Sequence, residues 1–135
     1  MSYAKLTIYT DGGARNNPGP AGIGCVFYDD KKNIVKEISE YIGEATNNQA
    51  EYKACLRAME EAKKFGAEEL DFYLDSELVV KQLKREYKVK NKELAPLFMK
   101  IYNLSQQFKK VTFKHVRREF NREADRLVNE AIDNR

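Results

Sequence analysis

Apolar residues fall in five short runs and recur at helical spacing in four longer segments, so the chain reads as α/β. Residues 4–10 (A-K-L-T-I-Y-T) are β-rich and lead into Asp11-Gly12-Gly13, a strand followed by a turn. After the loop Asn16-Asn17-Pro18-Gly19-Pro20, residues 22–28 form a second apolar run. The polar turn 29–33 precedes a third strand over 34–42. Turns this short make the three strands antiparallel neighbours.

The period then changes. Thr46-Asn47-Asn48-Gln49 has the form of a capping box, with Thr46 as N-cap and Gln49 three residues on. Ala50, Ala54, Ala58 and Ala62 recur at helical spacing, and Gly66 stops the helix. Residues 70–74 (L-D-F-Y-L) form a fourth strand that ends in Asp75-Ser76. The pattern predicts a helix over about 76–85, a basic stretch, a helix over about 93–108 and a fifth strand over 111–116. A last helix carries Ala124, Leu127, Val128, Ala131 and Ile132 on one stripe. The order β-β-β-α-β-α-α-β-α makes one mixed sheet with helices on its faces. No repeat, low-complexity segment or linker interrupts it, so residues 1–135 are expected to form a single domain.

Composition narrows the class. The chain has 135 residues, 42% of them apolar, which suffices for one core. No apolar run approaches the roughly 20 residues of a membrane span, and the start M-S-Y-A-K-L-T-I lacks a signal peptide's apolar stretch. Cys25 and Cys55 show neither metal-ligand nor redox spacing, so reduced thiols and a cytoplasmic location are expected. The net charge of +3, from 24 basic and 21 acidic residues, permits nucleic-acid binding without demanding it.

The chemistry lies in four carboxylates. Strands one and four both run apolar and both end in an aspartate, at Y-T-D-G and Y-L-D-S. A β-α-β crossover makes those strands parallel, so Asp11 and Asp75 share the sheet edge where α/β proteins bind ligands. Glu51 lies near the start of the alanine-rich helix, one turn before Cys55, and shares part of the face that packs on the sheet. Asp125 sits early in the last helix, beside its buried stripe. Carboxylates pointed there must be paired, protonated or bound to a cation. Hard divalent cations suit an all-oxygen set. Taken singly, each acid has a structural reading, as a turn former or as a complement to a helix dipole. Their common placement favours one shared site.

Two other motifs fail on context. Gly19-Pro20-Ala21-Gly22-Ile23-Gly24 superficially suggests a dinucleotide fingerprint, but its glycines lead into C-V-F-Y, which is strand material and not a helix. No cysteine or serine nucleophile has motif context, and the one histidine, His115, lies at a strand end.

The ordered motifs T-D-G-G-A-R-N-N-P-G-P-A-G-I-G (10–24), T-N-N-Q-A-E (46–51), L-D-S (74–76) and H-V-R-R-E-F-N-R-E-A-D (115–125) resemble type 1 ribonuclease H. The resemblance spans nearly the whole chain. It implies a five-stranded mixed sheet in the order 3-2-1-4-5 and cleavage of the RNA strand of an RNA–DNA hybrid. The family's metal-binding set falls on Asp11, Glu51, Asp75 and Asp125. Two Mg2+ ions, with Mn2+ as an alternative, would activate the attacking water and stabilise the leaving 3′-oxygen, leaving a 5′-phosphate and a 3′-hydroxyl. By the family's pattern Asp11 bridges both metals, with Glu51 and Asp75 on one and Asp125 on the other.

The resemblance also assigns His115 to proton shuttling or product release, and Gly12, Gly13, Ala14, Asn17, Asn47, Asn48 and Gln49 to reading the hybrid's minor groove. The 2′-hydroxyl exposed there separates RNA from DNA. Thr46 matches a residue that grips a DNA phosphate. Three departures stand out: only K-R-E-Y-K-V-K-N-K (84–92) remains of a larger basic insertion, Glu44 replaces a basic residue before Thr46, and Val116-Arg117-Arg118 replaces a glycine-rich loop. Arg118 is a candidate to take over part of the histidine's role. A first strand that begins at once leaves no room for an added hybrid-binding domain, and a start at Met1 argues against a segment of a reverse transcriptase. A monomer with no membrane partner is expected. The competing readings are an inactive hybrid-binding module and a same-fold nuclease acting on DNA or double-stranded RNA.

Overall fold

Alternation sets the first strand: Leu6 and Ile8 are fully buried, whereas Thr7 and Tyr9 between and beyond them are half-covered on the opposite face. The computed structural model describes residues 3–135. Its strands are β1 (Lys5–Ala14), β2 (Gly19–Tyr28), β3 (Ile34–Ala45), β4 (Glu69–Leu74) and β5 (Lys110–His115). Its helices are α1 (Asn47–Lys64), α2 (Glu77–Leu83), α3 (Ala95–Ser105) and α4 (Arg122–Asp133), with a 3-10 turn at Arg118–Phe120. The sheet order is β3-β2-β1-β4-β5, with β1, β4 and β5 parallel and β1–β2–β3 antiparallel. The five-stranded mixed sheet and its order agree with the expectation.

Thr46 caps α1 as its sequence requires. Its hydroxyl accepts from the Gln49 amide N–H at 3.1 Å, and the Gln49 side chain accepts from the Thr46 N–H at 2.8 Å. The small residues Ala50, Ala54, Ala58 and Ala62 are all buried, so α1 lies close against the sheet. Tyr52, Phe27, Phe72 and Leu70 fill the space around it, each contributing about 1.5–3 kcal/mol by leaving water. The buried Tyr52 hydroxyl donates to Gln82 Oε1 on α2 at 2.5 Å, which ties the two helices.

Four boundaries differ from the sequence reading. Asp11-Gly12-Gly13 is not a turn; β1 continues through it to Ala14, paired with residues 21–24 of β2. Gly12 serves close packing there, which a composition of turn formers conceals. β2 starts at Gly19, and β3 runs on to Ala45, right up to the α1 cap. α3 begins at Ala95 instead of near residue 93, because Asn91 Oδ1 holds the amides of Glu93 and Leu94 in a turn and Pro96 follows. Among the described residues no helix is long and apolar enough to cross a membrane.

Candidate active site

The opening between two strands creates the site. β1 pairs with β4 only as far as Tyr9↔Tyr73. Beyond that point β1 continues beside β2, while β4 ends at Leu74. Asp11 and Asp75 therefore stand on either side of a gap at the carboxyl end of the sheet. Two glycines bring the helices to it. A methyl group at Gly12 would collide with the Ala50 carbonyl and the Glu51 amide, so only glycine lets the start of α1 rest on β1. A methyl at Gly24 would collide with the Ala124 carbonyl, and its absence lets α4 lie on the other face. Glu51 and Asp125 are carried to Asp11 by these two contacts.

Oxygen atoms of Asp11, Glu51 and Asp75 all lie within 4.8 Å of one another. Asp125 does not meet that mutual spacing, but its charge acts directly on Asp11. Asp11 is 7% exposed and Glu51 8% exposed. Burial, then the charges of Asp75 and Asp125, push the Asp11 carboxyl up to about 8; the Gly12 N–H at 3.0 Å opposes the rise. Burial and the charges of Asp11 and Asp75 hold Glu51 well above the ordinary carboxylate range, against a lowering by Arg118. Glu51 Oε2 is buried without a hydrogen-bond partner. A crowded all-oxygen set with an orphaned acceptor fits a hard divalent cation, which would neutralise the repulsion and fill the open valence.

Asn121 fastens these elements together and went unnoticed in the sequence. It is 2% exposed, and its Nδ2 donates to Asp75 Oδ2 at 3.0 Å and to the Thr10 carbonyl at 2.9 Å. Its own carbonyl accepts from the Asp125 amide at 3.1 Å. The legible signal was an N-cap residue type before R-E-A-D. The side chain makes no cap hydrogen bond, however, and reaches across to β1 and β4.

The remaining candidates divide into two groups. His115 is exposed at the end of β5, opposite Leu74 and so next to the Asp75 side of the gap. Arg118 is exposed in the 3-10 turn, near enough to Glu51 for its charge to register there. The others line the start of α1. The Ala14 amide donates to Asn47 Oδ1 at 2.8 Å, and the Asn47 amide donates to Asn17 Oδ1 at 2.9 Å. Asn17 and residues 46–49 rim a hollow of about 330 Å³, completed by Asn91, Glu93 and Leu94, which the sequence had not singled out. Gly12 is packed beneath this region, and Gly13 faces Val128 of α4.

Comparison with known proteins places this geometry. Residues 9–131 match the family model described as reverse transcriptase-like. The bifunctional protein Rv2228c of Mycobacterium tuberculosis is 42% identical over 130 residues, which cover 96% of this chain and 36% of the relative. The ribonuclease HI of Halobacterium salinarum is 40% identical over 129 residues, covering 96% of this chain and 65% of the relative. The chain thus spans about a third of the first and just under two thirds of the second. The crystal structure of RNase H1 from Halobacterium salinarum superposes with a TM-score of 0.94 at 39% identity, covering 97% of this chain and 99% of that one. LC11-RNase H1, solved in complex with an RNA/DNA hybrid, superposes with a TM-score of 0.92 at 49% identity, covering 96% and 97%. Sheet order, motif order and likeness along nearly the whole length agree, and the chain belongs to the type 1 ribonuclease H family.

Proposed function

We propose that this chain hydrolyses the RNA strand of RNA–DNA hybrids in a divalent-metal-dependent reaction that leaves a 5′-phosphate and a 3′-hydroxyl. The observation that carries the reading is the cluster of Asp11, Glu51 and Asp75, with ligand atoms within 4.8 Å of one another. Asp125 beside Asp11 adds to it. The relatives named ribonuclease HI and the LC11-RNase H1 complex with an RNA/DNA hybrid support the substrate class.

Asp11 has ligand atoms of Glu51 and Asp75 within 4.8 Å, and the charge of Asp125 acts on it as well. Asp11, Glu51, Asp75 and Asp125 are the residues that would hold two Mg2+ or Mn2+ ions. When bound, such a pair supplies an activated water and compensates charge on the leaving 3′-oxygen. The protein's own residues do the rest. Asn121 holds Asp75 in place, and Gly12 and Gly24 set how near Glu51 and Asp125 come. Asn17 and Asn47 are locked by hydrogen bonds to each other and to Ala14, so the face offered to the minor groove is preorganised. The Thr46 hydroxyl accepts from Gln49 and keeps its own hydrogen to donate to a strand phosphate. His115 and Arg118 flank the gap as the groups able to move a proton or attract the scissile phosphate.

A panel of strand-labelled hybrid, RNA duplex and DNA duplex, each with magnesium or manganese, tests this. Cleavage confined to the RNA of the hybrid is expected. Equal cutting of an RNA or DNA duplex would place the chain with nucleases of other specificity, and binding without metal-dependent cutting would make it a recognition module.

A further inference from the structure

The hollow at the start of α1 carries one feature that the proposed reaction does not use. Its polar rim is neutral, formed by Asn17, residues 46–49 and Asn91, except at Glu93. α1 is 18 residues long and has no acidic residue in its first turn, so the positive end of its dipole is uncompensated from within the helix. Glu93 stands there instead. Its Oε2 accepts from Gln49 Nε2 at 3.1 Å, while Gln49 Oε1 closes the capping box by accepting from the Thr46 amide at 2.8 Å. Glu93 is exposed, and no salt bridge among the described residues involves it.

We propose that Glu93 is an affinity-setting residue for the nucleic-acid strand gripped at the start of α1, a carboxylate placed where a backbone phosphate would otherwise be drawn. The inference rests on the hybrid-binding reading above. Two consequences follow from the geometry. The charge of Glu93 opposes any phosphate that approaches Thr46. Its hydrogen bond also holds the Gln49 amide with its nitrogen turned toward Glu93, so Gln49 is committed to the protein and not to the groove. An adjacent like charge in a partly solvated site weakens binding by about five-fold or more at low salt, and screening removes most of this at high salt. Weak, easily reversed grip on the strand is the outcome.

Glu93→Gln separates charge from hydrogen bonding, because a glutamine oxygen still accepts from Gln49. Glu93→Asp keeps the charge. Binding of a labelled RNA–DNA hybrid by the whole chain is measured in EDTA, so that the hybrid stays intact, and KM and kcat are measured with magnesium. At low salt Glu93→Gln is expected to bind about five-fold tighter, with the change in KM and little in kcat, and the gain should fade by about 0.5 M salt. Glu93→Asp is expected to follow the wild type. Unchanged or weaker binding by Glu93→Gln, or a gain that salt does not diminish, would overturn the proposal while leaving the nuclease reading intact. A wild-type chain that neither binds nor cuts the hybrid would remove both.

Discussion

The side-chain nitrogen of Asn121 lies 3.0 Å from Asp75 Oδ2 and also donates to the Thr10 carbonyl, so one buried amide spans β4, β1 and the start of α4. Both partners are acceptors, which fixes the nitrogen toward them. Asn121→Ala leaves the buried Thr10 carbonyl unpaired and Asp75 free to rotate. A stability loss of about 1–3 kcal/mol and a fall in kcat of about 10–100-fold are expected. Thermal melts and single-turnover cleavage separate the two effects; full activity in a destabilised variant would show that Asp75 needs no such support.

Asp75→Asn should abolish cleavage without unfolding the protein. The Asp75 charge is among the causes that raise both Asp11 and Glu51. Neutralising it relieves repulsion in the metal-free state, and an asparagine oxygen can still accept from Asn121. The metal-free melting temperature is expected to stay level or rise by a few degrees, consistent with about 1 kcal/mol. A circular-dichroism melt beside a hybrid assay checks it.

Metal and pH are linked through Asp11. Its pKa rises from 3.8 to about 8 on folding, so the folded state binds the proton more tightly than the unfolded chain. The contribution of this group to metal-free stability is therefore full below about pH 4 and declines as pH rises through the window up to about 8. In the proposed site a divalent cation would compete with that proton. The rise in melting temperature on adding magnesium should be small at pH 5 and grow toward pH 8–9, and Asp11→Asn should flatten the trend to what Glu51 alone carries. A magnesium effect independent of pH would separate the metal from Asp11.

Gly12→Ala tests how Glu51 is delivered. The added methyl would force α1 away from β1, since its neighbours are the backbone of Ala50 and Glu51 and not a yielding side chain. A cost of about 1–3 kcal/mol is expected, with magnesium affinity, read by calorimetry, falling by more than that stability loss explains. Wild-type metal affinity would show that α1 can shift without moving Glu51.

The shortened basic stretch bears on substrate grip. Lys84 pairs with Glu86 at 3.1 Å, whereas Lys88 and Lys90 are exposed and enter no salt bridge among the described residues. If they meet the hybrid, reversing both charges should raise KM, reduce the salt slope by about one to two units and leave kcat nearly unchanged. Unaltered kinetics across salt would make them a solvated surface and shift the grip toward Arg117 and Arg118.

Much of this molecule is written in local pattern. Thr46 and Gln49 announce the start of α1, and the alanine spacing announces the face it buries. The run of β-formers before each aspartate places Asp11 and Asp75 at one sheet edge. What stayed hidden depends on partners distant in sequence. Asp11-Gly12-Gly13 looks like a turn because glycine serves turns and close packing alike, and only the approach of Ala50 decides between them. Asn121 looks like a helix cap because its real partners, Thr10 and Asp75, are 111 and 46 residues away. Glu93 looks like a solvated charge until α1 is seen beside it.

The most direct test follows an RNA–DNA hybrid, labelled at the 5′ end of the RNA, through a magnesium titration with the wild-type chain and Asp75→Asn. A site built on these carboxylates cuts the RNA internally only when metal is present, leaves 3′-hydroxyl ends that a polymerase can extend, and falls silent in Asp75→Asn. Cleavage that persists in EDTA, or an Asp75→Asn protein as active as the wild type, would contradict it.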